Sequence, residues 1–116
     1  MYIKKGSHGE VLKHNMRGGD GVVSLYPAAE GEQLPASCRL FSRIDELPAG
    51  ASIGLHRHEG EAEMFYVLSG HPTLTDDGAE YTAQPGDCIV TRSGHSHAVR
   101  NNGGEPVELL ACIAKD

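Results

Sequence analysis

Apolar residues in this chain come in short runs, many of them alternating with polar ones, and each run is cut off before a helical stripe can build. From "VVSLY" at 22–26 onward the runs are "CRLFSRI", "ASIGLH", "EMFYVL", "TLT", "EYT", "CIVT", "HSHAVR" and "VELLACIA". Between them stand "AAEGEQLP", "DELPAG", "SG", "DDG", "QPGD", "RSG" and "NNGGEP", all rich in turn-forming residues. No segment sustains the 3.6-residue apolar period of an amphipathic helix. Many short strands at this spacing predict an all-β sandwich or barrel. Asp77-Gly78, between "TLT" and "AEYT", predicts a two-residue hairpin turn. Residues 1–21 are polar and Gly-rich and are expected to form an N-terminal arm; residues 22–116 then form one barrel domain.

Length and charge narrow the class. A chain of 116 residues suits one domain with a core of modest size. Fifteen glycines and six prolines fit a turn-rich β fold. The net charge of −6 argues against nucleic-acid and anionic-membrane partners, which need a concentrated basic surface. No apolar run approaches the roughly 18 residues of a membrane span. The start, "MYIKKGSHGEVLKH", has lysines but no apolar stretch behind them, so no secretory signal is read and a cytoplasmic location is expected. Cys38, Cys88 and Cys112 are widely spaced and sit among apolar neighbours. They are expected to be small buried side chains in a reducing compartment.

The candidate chemistry lies in "HRHEGEAE", residues 56–63. On a strand, residues two apart share a face, so His56 and His58 project together and Arg57 points away. "EGEA" is expected to turn the chain, and "EMFYVL" to return as the partner strand, with Glu63 facing the histidine pair across the ladder. Glu59 and Glu61 then belong to the turn and point into water. Two imidazoles and a carboxylate preset in this way form a three-donor set for a divalent metal. A histidine pair alone is weak evidence, and a second pair, His95 and His97, occurs in the same chain.

The wider spacing is more specific. Gly50, His56, His58, Glu63 and Gly70 form one block; Gly86, Arg92, Gly94, His97 and Asn101 form a second, after a 15-residue interval. The pair resembles the two motifs of the cupin superfamily, G-x5-H-x-H-x3–4-E-x6-G and G-x5-P-x-G-x2-H-x3-N. One position departs: Arg92 stands where the second motif has proline. Within the family, "SIGLHRHEGEAEMFYVLSG" is most similar to small, single-domain bacterial cupins of the oxalate-binding and oxalate-decarboxylase-like kind. The resemblance implies a double-stranded β-helix, a jelly-roll barrel. It implies one divalent transition metal per chain, Mn, Fe, Zn, Ni or Co, held by His56, His58, Glu63 and His97. Gly50, Gly70, Gly86 and Gly94 would serve turns, and Asn101 nearby backbone groups.

Around such a metal, strand parity expects an apolar wall from Phe65 and Val67. Arg92 is either a solvated turn residue or an anion contact. His95 is either a rim residue or an acid–base group near the metal. His8, His14 and His71 have no evident partners and are expected to be exposed. Arg57 and Arg100 have the wrong parity to reach a bound anion, which leaves the metal as the main source of recognition. The function implied is a small metalloenzyme acting on an oxygen-chelating substrate, a dicarboxylate, 2-keto acid or diol. Alternatives are a non-catalytic small-molecule sensor, an iron dioxygenase and a sugar-phosphate-isomerase-like cupin, since a fold does not choose a reaction. An acidic lid from Glu30 or Glu32 is one source of a proton donor. A homodimer is expected, with "GVVSLYPA" adding a strand to a neighbour's sheet edge.

Overall fold

The structure is a computed structural model that describes the backbone of residues 1–116 and the side chains outside residues 45–46. Ten strands form in chain order. They are β1 (Val11–His14), β2 (Val22–Ala29), β3 (Cys38–Leu47), β4 (Ser52–Arg57), β5 (Glu61–Ser69), β6 (Thr73–Asp76), β7 (Ala79–Thr82), β8 (Cys88–Thr91), β9 (Ser96–Arg100) and β10 (Val107–Lys115). Two short 3-10 turns, Met16–Gly18 and Gly31–Gln33, are the helical elements. The expected runs from "VVSLY" to "VELLACIA" all lie on strands, and β1 is an extra strand inside the supposed arm.

Alternation divides each strand between a core face and an outer face. In β10, Val107, Leu109, Ala111 and Ile113 are buried, whereas Glu108, Leu110, Cys112 and Ala114 are only partly so. In β5 the inward set is Glu63, Phe65 and Val67. The strands form two antiparallel sheets, ordered β1-β2-β3-β10-β5-β8 and β4-β9-β6-β7. Their facing sides enclose one core, with Ile44, Leu47, Phe65, Val67 and Leu109 from the larger sheet and Ile53, Leu74 and Val99 from the smaller. This is the all-β jelly-roll barrel implied by the sequence.

Turn chemistry agrees in detail. Asp77 and Gly78 both take positive φ, 45° and 85°, as a two-residue hairpin between β6 and β7 requires. Asn101 is buried; its amide donates to the Leu47 and Glu105 carbonyls and its oxygen accepts from Gly103 N–H.

Three expectations need correction. β5 does not pair with β4; its ladder partners are β10 and β8, because the chain crosses between sheets at "EGEA". β1 pairs with β2 over Val22–Leu25 and β3 pairs with it from Ser24 to Ala29, so β1 rather than "GVVSLYPA" is the edge strand of this sheet. The cysteines are not core residues: Cys88 is exposed, and Cys38 and Cys112 are half-buried. Outward strand parity, which the local apolar context hid, explains Cys112.

Candidate metal centre

The cross-strand register of the smaller sheet sets His56 directly opposite His97. His58 lies just past the end of β4, where its N–H donates to the His95 carbonyl and its own carbonyl accepts from Gly94 N–H. Glu63 comes from the larger sheet, so the donors meet between the two sheets. His97 Nε2 is 3.0 Å from His56 Nε2 and 3.1 Å from His58 Nε2. Glu63 Oε1 is 3.0 Å from His97 Nε2 and 3.2 Å from His58 Nε2. His58, Glu63 and His97 are buried and His56 is half-buried.

The outward nitrogens decide what the inward ones present. His56 Nδ1 donates to the Gly54 carbonyl at 2.7 Å. His58 Nδ1 donates to the Glu61 carboxylate at 3.2 Å. A neutral imidazole carries one N–H, so both Nε2 atoms turn lone pairs to the centre. His97 Nδ1 is 2.9 Å from Thr91 Oγ1, a hydroxyl that can accept or donate. Converging lone pairs beside a carboxylate call for a cation, and outward hydrogen bonds of this kind orient metal-bound histidines. The spacing fits as well. Neighbouring donors on a six-coordinate ion with bonds of about 2.1 Å stand about 3.0 Å apart. His56, His58, Glu63 and His97 therefore could hold a metal, all four within 4.8 Å of one another.

Electrostatics favours an ionised Glu63 and a neutral His97. Burial opposes an ionised Glu63, but the surrounding imidazoles outweigh it and lower its pKa to about 2. Burial depresses His97, only partly offset by Glu63, so the neutral ligand form is favoured. The pKa of Glu61 is lowered to about 2, chiefly by Arg39, which donates to it from Nε and Nη2 at 2.8 and 2.7 Å. Glu61 thus does not point free into water: it links Arg39 to His58. The signal that could have found it is its position three residues after His58, within reach of the ring.

Three of the donors, His56, His58 and Glu63, border a cavity of about 430 Å³, and His97 lies fully buried behind them. Leu25, Leu40, Ile44, Ile53, Phe65, Ala111 and Ile113 supply apolar wall, and Lys13, His14, Asn15, Met16, Arg17 and Arg39 complete the lining. Phe65 stacks flat on His97, with centroids 4.9 Å apart. Val67 is fully buried in the core rather than on the cavity wall. Arg92 lies outside the cavity, exposed and doubly bonded to Asp116 at 2.7 Å. His95 is also exposed outside it, paired with Asp77. Glu30 and Glu32 are exposed and absent from the lining. His14 is exposed, as expected, and borders the cavity. Lys13 and Arg17 were missed because the first 21 residues were read as an arm separate from the barrel.

Comparison with known proteins agrees with the geometry. The family model described as "Cupin domain" matches residues 43–113. The oxalate-binding protein of Thermotoga maritima is 42% identical over 99 residues, 85% of this chain and 81% of that protein. The crystal structure of a "predicted oxalate decarboxylase" from Thermotoga maritima matches with a TM-score of 0.94 at 37% identity, covering 100% of both chains. A "Cupin 2 conserved barrel domain protein" from Salinispora arenicola matches with a TM-score of 0.76 at 22% identity, over 99% of this chain and 89% of that one, and so bears on the fold alone. With the domain match spanning most of the barrel, the chain belongs to the cupin family.

Proposed function

We propose that this protein holds one divalent transition metal on His56, His58, Glu63 and His97, and that the metal binds a small oxygen-chelating organic acid of the oxalate type. The convergence of four donors within 4.8 Å of one another carries the reading. Three imidazoles and one carboxylate suit Mn, Fe, Co, Ni or Zn and leave a 2+ ion with a residual positive charge. The metal would polarise a bound carboxylate or carbonyl oxygen. The chain's own residues fix the ligand set through Gly54, Glu61 and Thr91, and Phe65 stacks on the His97 ring. The 42% identity to an oxalate-binding protein supports the ligand class.

Binding is favoured over turnover by the composition of the wall. Among the described lining residues Glu63 is the sole carboxylate, and it is already a candidate ligand. His14 is the one lining histidine outside the donor set, and a metalloenzyme reading rests on it as the acid–base group. Elemental analysis of protein purified without chelators should find close to one metal per chain. Calorimetry should find millimolar-or-better oxalate binding to the metal-loaded protein and none to the apo form. Equal binding to both forms would refute the proposal. We also infer a homodimer. Phe41, Tyr66, Leu68 and Val90, 38–51% exposed, form an apolar outer face on the larger sheet. A monomer mass by light scattering at tens of micromolar would count against it.

A further inference from the structure

We propose that Lys13 and Arg17 make the site selective for chelating acids that carry a second, remote carboxylate: 2-oxo and 2-hydroxy dicarboxylates longer than oxalate. This rests on the reading of the site as a metal-held chelate.

The segment bearing these cations is fixed to the barrel rather than trailing from it. Gly19 and Gly54 lack side chains where the two backbones cross. A Cβ on Gly54 would overlap the Arg17 carbonyl, and one on Gly19 the Ser52 carbonyl. Ser52 N–H donates to the Asp20 carbonyl, and Asp20 N–H to Ser52 Oγ, both at 2.9 Å. Arg100 holds the Asp20 carboxylate at 2.7 Å. Asn15 and Arg17 both sit at positive φ, 48° and 54°. Non-glycine residues adopt that conformation at a cost, and it persists where the surroundings over-determine it. The segment is thereby held as a strap along the cavity wall, two residues upstream of His56 in its contact with β4.

Charge and size then select the ligand. Of the three cations lining the cavity, Arg39 is committed to Glu61 by two hydrogen bonds. Among the described residues, Lys13 and Arg17 take part in no ion pair, in a chain whose net charge is −6. Two cations without counter-charges at a cavity mouth attract a carboxylate that the metal does not already hold. The cavity of about 430 Å³ exceeds what oxalate's two carbons and four oxygens need; it falls within the roughly 300–1,000 Å³ of ordinary ligand pockets. Apolar walls from Ile44, Ile53 and Ile113 suit a methylene spacer between the chelating end and the remote carboxylate.

The test compares 2-oxoglutarate with 2-oxopentanoate, of equal length but lacking the second carboxylate, by calorimetry on metal-loaded protein. Oxalate serves as the short control, and metal content is measured throughout. The native chain should favour the dicarboxylate by at least about fivefold, as expected of a partly desolvated charge contact. The preference should vanish in Lys13→Gln/Arg17→Gln, with affinity for 2-oxoglutarate falling by a larger factor than affinity for oxalate, which carries no remote carboxylate. Arg17→Gly provides a second variant that suits the positive φ, and should lose most of the preference while keeping the fold. Equal affinity for the two probes in the native chain, or an undiminished preference in the double variant, overturns the proposal. If oxalate and both probes fail to bind metal-loaded protein, the chelate reading itself falls, and this proposal with it.

Discussion

Glu61→Ala isolates the outer support of the centre without removing a candidate ligand. In the native chain the carboxylate accepts from His58 Nδ1 at 3.2 Å and is gripped by Arg39 at 2.7 and 2.8 Å. His58 is 2% exposed, so water cannot readily replace the lost acceptor. An unsatisfied buried donor costs about 1–3 kcal/mol. The ring also loses its tautomeric bias, and removing such a partner typically lowers metal affinity about 10–100-fold, or roughly 1.4–2.7 kcal/mol. The two figures overlap, so a fall in affinity of about thirtyfold is expected. Competition against a coloured chelator at pH 7.5 would measure it, with Glu59→Ala as control. Among the described residues Glu59, 72% exposed, pairs with Arg57 at the surface, 2.8 Å away, and its loss should change affinity by less than about twofold. Metal affinity in Glu61→Ala within twofold of the native value would refute the role assigned to this carboxylate. A fall of equal size in Glu59→Ala would show a general charge effect instead.

His58→Ala and Glu63→Ala should each strip most of the metal, because each removes a direct donor; undiminished content by elemental analysis in both would sink the ligand assignment. Metal affinity should fall as pH drops below about 6, since protons compete for the imidazole nitrogens. His97 is held below its ordinary value, so the unfolded chain binds that proton more tightly; stability of the metal-free fold is full above about pH 6.5 and declines as pH falls through the folded value, as acid titration followed by circular dichroism would show. Gly54→Ala should displace the strap from β4 and destabilise the fold by about 1–3 kcal/mol in urea melts, because the new methyl group meets a backbone carbonyl rather than a yielding side chain.

The barrel was legible because period-2 alternation and turn residues are local signals. β10 shows both, from its buried Val107 to the "NNGGEP" turn before it. The donor residues were legible from motif spacing, but the way they meet was not. A hairpin reading placed Glu63 on the strand beside His56; the chain instead changes sheets, and Glu63 reaches the histidines across the core. Strand pairing is a long-range property, and local sequence can show the turn without showing which ladder follows. β1 escaped notice because all four of its residues are exposed, so it carries no alternation. Glu61 was misread for a related reason: its partner Arg39 lies 22 residues earlier, on a strand brought alongside only by the fold.

The two halves of the candidate site also come from different parts of the chain, and this bears on what family membership can say about the ligand. The matched domain, residues 43–113, contains all four donors. Lys13, His14, Arg17 and Arg39 lie before it, and they bring the unpaired cations, the spare histidine and the clamp on Glu61 to the cavity. A barrel wall is well suited to hold a metal, since paired strands fix side chains more closely than loops do. Discrimination among chelating acids needs contacts beyond the chelate, because any bidentate oxygen ligand satisfies the metal alike. On the proposal made above, those contacts come from Lys13 and Arg17, which line the cavity from before the matched domain. An exchange of residues 1–21 between two cupins should therefore move ligand preference while leaving metal affinity in place, provided the Gly19–Gly54 crossing is kept.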